Sequence, residues 1–218
     1  MDPNAAVCGL GFVVSYILVL AVSSNNPDDT SSDREIRSWY ASHSHQVKEL
    51  IVFFIGLAGA LVFLWFLSHV RALIRQAERD GGRASTIALA SGTAFVGLFA
   101  VMAALFAAPA FVLLDAGHKF ALDPNTFRLE SGLGAMAYMA AFISLAPLAF
   151  AVGVVAWRTR VLPRWLAVAS YVAGVCALAS PVWFPSWAVV LWIALLSGYL
   201  AVRGEAAAPR TTTAPAPA

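Results

Sequence analysis

Charge is scarce in this chain. Asp, Glu, Lys and Arg make up 12% of 218 residues, against about 25% in an ordinary soluble domain. The shortage coincides with a hydrophobic content of 60% and long apolar runs, which excludes a soluble globular domain and points to a polytopic membrane protein. Cysteine is nearly absent. Cys8 and Cys176 lie in separate apolar runs at different expected depths. A disulfide needs Cα atoms within about 7 Å, so both read as free thiols. The formal charge of +2 offers nothing to attract nucleic acid.

Chemical motifs are missing as well. There is no H-E-x-x-H, no G-x-x-x-x-G-K-[ST] and no C-x-x-C. No acidic or basic residue falls in the middle of an apolar run, where ion-coupled transporters and intramembrane proteases keep theirs. The polar residues at depth are hydroxyls, among them Tyr16, Ser91, Tyr138, Ser144 and Ser170, which in lipid usually make interhelical hydrogen bonds. They also suit the wall of a pocket for a neutral or lipidic ligand. No cofactor and no metal is implied.

What is present is organised around residues 31–83. A polar, acidic run leads into a helix start, then an apolar span from Leu50 to Leu67, then Arg71, Arg75, Arg79 and Arg83. Six runs meet the length a bilayer requires, about 20 residues: 5–23, 49–70, 85–114, 132–157, 164–183 and 186–202. The first lacks a positive n-region before it, so it reads as a retained helix rather than a signal peptide. The last two are separated by Pro181-Val-Trp-Phe-Pro185 and form a hairpin. The basic residues collect after the second span, after the fourth (Arg158, Arg160, Arg164) and in the tail (Arg203, Arg210). The positive-inside rule then puts both termini in the cytoplasm. Trp157 and Trp165 fall at the inner interface, and Trp39, Trp183 and Trp187 at the outer one. The expected fold is all-α, a six-transmembrane-helix bundle in the cell membrane with a short outer amphipathic helix before the second span. Residues 204–218, rich in Ala, Pro and Thr, read as a disordered tail.

Two prolines interrupt the spans. Pro109 marks where the overlong third span kinks or leaves the buried region. Pro147 cannot donate to the Ile143 carbonyl and predicts a bend in the fourth. Small residues at four-residue spacing, Ala90/Ala94, Ala100/Ala104 and Ala137/Ala141, are candidates for close helix contacts.

The densest group of reactive side chains is in the first and third loops. Ser32-x-x-Glu35 reads as a capping box, followed by Ile36, Trp39, Tyr40, His43 and Val47 at helical spacing. His43 and His45 differ by about 200° on a helix and do not share a metal easily; the bland reading has His43 bonded to loop backbone and His45 facing water. The loop from Asp115 to Glu130 carries His118 and a turn at Asp123-Pro124-Asn125. If it folds over the first loop, His43, Asp115 and His118 become a candidate ligand-binding site in an outer polar cap.

The turn Arg158-Thr-Arg160-Val-Leu162-Pro163-Arg164-Trp165-Leu166, with Tyr40-Ala-x-x-His43 before the second span, resembles bacterial six-helix integral membrane proteins grouped as domains of unknown function. The resemblance implies a layout and no activity. Three functions stay open: a membrane protein that binds a partner protein or a lipidic or neutral ligand; a small transporter or permease-like protein; and an enzyme with an outer-face site. The implied partners are the lipid bilayer and either a second membrane protein or another copy of this chain.

Overall fold

The computed structural model describes residues 3–78, 81–116, 120–182 and 184–207. Among them the regular structure is helical: α1 (Pro3–Ser23), α2 (Asp33–Tyr40), α3 (His43–Ala77), α4 (Arg83–Ala116), α5 (Pro124–Ser144), α6 (Ala146–Thr159), α7 (Arg164–Leu178), a 3₁₀ turn at Ser180–Val182, and α8 (Ser186–Ala207). Four helices are long and apolar enough to cross a membrane: α3, α4, the nearly continuous α5–α6 pair, and α8 as far as Arg203. Val7–Ser23 and α7 are apolar but shorter.

The helices close into a ring. α3 packs on α1 and α4, α4 on α5 and α6, α6 on α7, α7 on α8, and α8 returns to α1. The interior is aromatic. Phe12, Phe63 and Phe95 hold ring centroids 5.2–5.5 Å apart, and Phe99 and Phe142 extend the cluster from α4 and α5. Tilted and edge-to-face pairs of this kind add about 0.5–1.5 kcal/mol beyond area burial. That increment counts in lipid, where apolar burial between helices supplies little drive. Large apolar side chains also cover the outside of the ring, including Phe54, Trp65, Val101, Phe111, Met136 and Leu191. An apolar exterior of this extent is the surface a bilayer solvates.

Close approach is made by glycines rather than by the alanine pairs. Ala90, Ala94 and Ala104 are exposed; Ala141 alone of the six is fully buried. A Cβ on Gly59 would stand 2.5 Å from Ser15 Cβ, and one on Gly174 would meet the Phe150 ring at 2.6 Å. Four-residue spacing of alanines in an Ala-rich chain does not say which face of the helix it lies on.

Several boundaries differ from the expectation. α3 begins at His43 and continues to Ala77, so it projects beyond the apolar span at both ends. α4 runs through Pro109 without ending. Pro109 instead separates the main core from a second small cluster that begins at Ala110. Asp123-Pro124-Asn125 is a helix start, not a turn: the Asp123 side chain accepts from Thr126 N–H at 3.2 Å and Pro124 opens α5. Proline at the first helical position forfeits no hydrogen bond, and the same residues serve either structure. α7 stops at Leu178, five residues short of the expected span end. α8 is helical to Ala207, so the first four residues of the tail expected to be disordered, 204–207, are helical; residues 208–218 lie outside the described residues, as does Trp183.

Candidate functional site

The first and third loops do come together. Ser32 caps α2, its Oγ accepting from Glu35 N–H at 3.3 Å; among the described residues the Glu35 side chain makes no reciprocal bond. The short helix turns Ile36 and Tyr40 inward against Ala110 of α4 and Leu122 and Phe127 at the start of α5. Arg128 then crosses from α5 to the first loop. Its Nη2 donates to Asp33 Oδ1 at 2.7 Å and to the Ser31 carbonyl at 2.9 Å. This end of the ring is called the cap end below. The opposite end, where α3 hands over to α4 and α6 finishes, is the arginine end.

Beneath the cap lies an acid that sequence reasoning counted only as a span boundary. Glu49 is 6% exposed. The Tyr40 hydroxyl lies 3.0 Å from each of its carboxylate oxygens, and Asn26 Nδ2 donates to Oε1 at 3.3 Å. Gln46, also buried, donates from Nε2 to the Tyr40 carbonyl at 2.6 Å. Lys48 does not pair with Glu49; its Nζ donates to Asn26 Oδ1 at 3.1 Å and lies 5.0 Å from the centre of the Trp39 ring. Burial, and then the neighbouring Glu49 charge, push the Tyr40 phenol well above its ordinary range, so Tyr40 remains a donor. Glu49 and Gln46 stand three residues apart, on one face of α3. A pair of polar side chains at that spacing just before an apolar run was the available signal.

The sequence-predicted residues are placed differently. His43 is the first residue of α3 and not part of α2, because the chain breaks at Ala41–Ser42. It is exposed and lines a shallow groove of about 550 Å³ with Val22, Val47, Lys48 and Ile51. The two histidines exchange the roles expected of them. His45, rather than His43, contacts loop backbone, with Nδ1 3.1 Å from the Trp39 carbonyl, and its ring stacks on Trp39 at 3.8 Å. The new helix start reverses which histidine faces back onto α2. Asp115 is exposed near the end of α4 and shares no hydrogen bond or ion pair with His43. His118 lies outside the described residues. Among those described, no three His, Cys, Asp or Glu side chains converge as a metal site would require.

A larger cavity sits at the arginine end. It is a groove of about 1100 Å³ between the end of α3, the start of α4 and α6. Its wall is apolar, with Ile87, Pro147, Phe150, Ala151, Val154 and Val155; its mouth carries Gln76, Glu78, Arg83, Arg158 and Thr159. Pro147 stands where α5 gives way to α6 at Leu145. Here Ser91 of α4 inserts its hydroxyl into the helical ladder. Leu148 N–H donates to Ser91 Oγ at 3.0 Å, and Ser91 Oγ donates to the Ser144 carbonyl. The helical ladder is therefore interrupted beside Pro147, and a neighbouring helix satisfies groups at the break.

No family model, curated protein or solved structure matches the chain.

Proposed function

We propose that this chain is a six-span membrane protein whose groove beside Pro147 binds a lipidic or neutral ligand. The observation that carries the reading is the groove itself: an apolar wall running from a polar mouth to a helix break. From Pro147 to Arg158 the helix rises eleven residues, about 16 Å at 1.5 Å each. That is roughly half of a 30 Å hydrocarbon core. The groove thus has the depth of one leaflet. Arginines at the ends of α3, α6 and α8 support an arginine end on the cytoplasmic side, with both termini there and α2 as an outer cap.

The test is native mass spectrometry of the chain purified in mild detergent, beside Ile87→Trp, which fills the groove from its half-exposed wall. The wild type is expected to retain lipid-sized adducts and the variant to lose them. Bare wild-type protein in repeated preparations would sink the reading. Orientation is checked by labelling single cysteines in a Cys8→Ser, Cys176→Ser background. Thr30→Cys should react from outside intact cells, and Arg160→Cys only after permeabilisation; the reverse pattern inverts the topology.

The helix break favours transport as a second reading, because discontinuous helices line the cavities of many transporters. Proteoliposomes carrying a labelled lipid in one leaflet separate the two. Label that stays in place supports a binder, and label that crosses supports a permease-like protein.

A further inference from the structure

The composition of the groove's mouth identifies its occupant further, on the basis of the binding reading above. We propose that the occupant is an anionic glycerophospholipid drawn from the leaflet at the arginine end. Its phosphate lies between Arg83 and Arg158, and an acyl chain runs along Ile87, Phe150 and Val154 toward Pro147.

The argument starts from charge that is not matched inside the protein. Among the described residues, three charged side chains line the mouth: Arg83, Arg158 and Glu78. Glu78 is already engaged. Its two carboxylate oxygens accept from Ala84 N–H at 2.6 Å and Ser85 N–H at 3.1 Å, capping α4. That helix terminus is filled by the protein's own acid, so an incoming anion is left to the guanidinium groups. Both arginines are exposed, and neither has an ion-pair partner among the described residues. Arg83 is also the first residue of α4, where the helix dipole disfavours a cation. An anion between the two relieves that repulsion and takes up planar donors suited to phosphate oxygens.

The wall decides between a lipid and a soluble anion. Directly below the guanidiniums the lining is Ile87, Phe150, Val154 and Pro147, which offers nothing to a hydrated phosphate and suits a hydrocarbon chain. The mouth also decides between headgroups. A zwitterionic headgroup brings its own cation beside two arginines, and among the described residues the one acid lining the mouth has both oxygens accepting from backbone N–H groups. A headgroup with net negative charge meets no such conflict.

The experiment titrates detergent-solubilised protein with phosphatidylglycerol or phosphatidylcholine of identical chains and reads bound lipid by native mass spectrometry. Phosphatidylglycerol should be retained about tenfold better, because phosphatidylcholine offers the same phosphate but brings its choline cation against the two arginines. The R83Q/R158Q variant should bind the two lipids alike at an unchanged melting temperature. Equal retention by the wild type overturns the proposal, as does a preference that survives in R83Q/R158Q. Inorganic phosphate should leave bound phosphatidylglycerol in place; displacement by phosphate alone would make the mouth a soluble-anion site and overturn it too. Ile87→Trp keeps the two levels apart. If it leaves lipid retention intact, the groove reading itself fails. If it abolishes retention while the wild type shows no headgroup preference, only the headgroup assignment fails.

Discussion

Replacing Ser91 by alanine tests how the helix break beside the groove is held. Pro147 has no N–H for the Ile143 carbonyl. The next N–H in line, Leu148, is diverted to Ser91 Oγ at 3.0 Å, and Ser91 in turn satisfies Ser144. Ser91→Ala therefore removes a donor and an acceptor together and leaves a buried N–H facing a carbonyl across the gap. Interhelical hydrogen bonds in membrane proteins average about 0.6 kcal/mol and reach about 1.7, while an orphaned buried polar group costs about 1–3 kcal/mol. The expected loss is about 1–3 kcal/mol. Soluble chains of this size shift by about 2–4 °C per kcal/mol, so the melting temperature in detergent should fall by several degrees. The decisive comparison is a double-mutant cycle with Pro147→Ala. Alanine at 147 restores the N–H to Ile143, lets Leu148 return to Ser144 and makes the Ser91 hydroxyl redundant. Ser91→Ala should then cost at least about 1 kcal/mol less than in the wild type, outside the 0.3–0.5 kcal/mol within which roughly independent sites add. A cost equal in both backgrounds would refute the reasoning.

Three further outcomes follow from the geometry. Tyr40→Phe withdraws the hydroxyl shared by both Glu49 oxygens and should destabilise the chain by about 1.5–3 kcal/mol. Glu49→Gln should reduce that penalty, and an unchanged unfolding midpoint for Tyr40→Phe would remove Glu49 from the account of the cap. Arg128→Ala breaks a pair whose members are 31% and 62% exposed, worth no more than about 1 kcal/mol. Its melting temperature should barely move, while amide exchange across residues 29–33 accelerates, because the same guanidinium holds the Asp29 and Ser31 carbonyls; exchange at the wild-type rate counts against the latch. Gly59→Ala places a methyl 2.5 Å from Ser15 Cβ and should cost about 1–3 kcal/mol. Gly97→Ala meets nothing within 4 Å and should be neutral or stabilising; equal effects at the two glycines would contradict the packing described.

Much of the architecture was legible because lipid imposes it locally. A chain that must satisfy its own backbone in an apolar solvent forms helices, and run length places them along the chain. The cap helix was readable for a similar reason: Ser32 meets the Glu35 N–H three residues on. Contacts between distant segments were not. Ser91 and Ser144 were recognisable as hydroxyls at depth, but no local rule pairs a hydroxyl on α4 with a proline break 56 residues later. Alanine spacing pointed to an exposed face at Ala90/Ala94 and to the core at Ala137/Ala141, because a period of four marks a stripe without saying whether lipid or a neighbour lies against it. His43 and His45 changed roles because a helix start at Ser42, rather than a continuous α2, sets their direction.

The contrast between the two ends of the ring locates function better than any single residue. At the cap end, polar groups are matched internally. Tyr40 and Asn26 answer Glu49, Asn26 also answers Lys48, and Asp33 with two carbonyls answers Arg128. Such a set holds a fold together and leaves little unspent for a ligand. At the arginine end the balance is reversed. Among the described residues that line the groove, the one acid is spent on a helix terminus, the guanidiniums of Arg83 and Arg158 have no ion-pair partner, and the wall below them is apolar. Binding energy comes from groups the protein does not satisfy itself, because only those gain when a ligand arrives. The organising stretch of the sequence, residues 31–83, spans both conditions. Its acidic start is consumed in building the cap, and its arginine end contributes Arg83 to the open groove. Activity lost on altering the cap should therefore track stability, whereas Arg83 and Arg158 should alter ligand retention at constant stability.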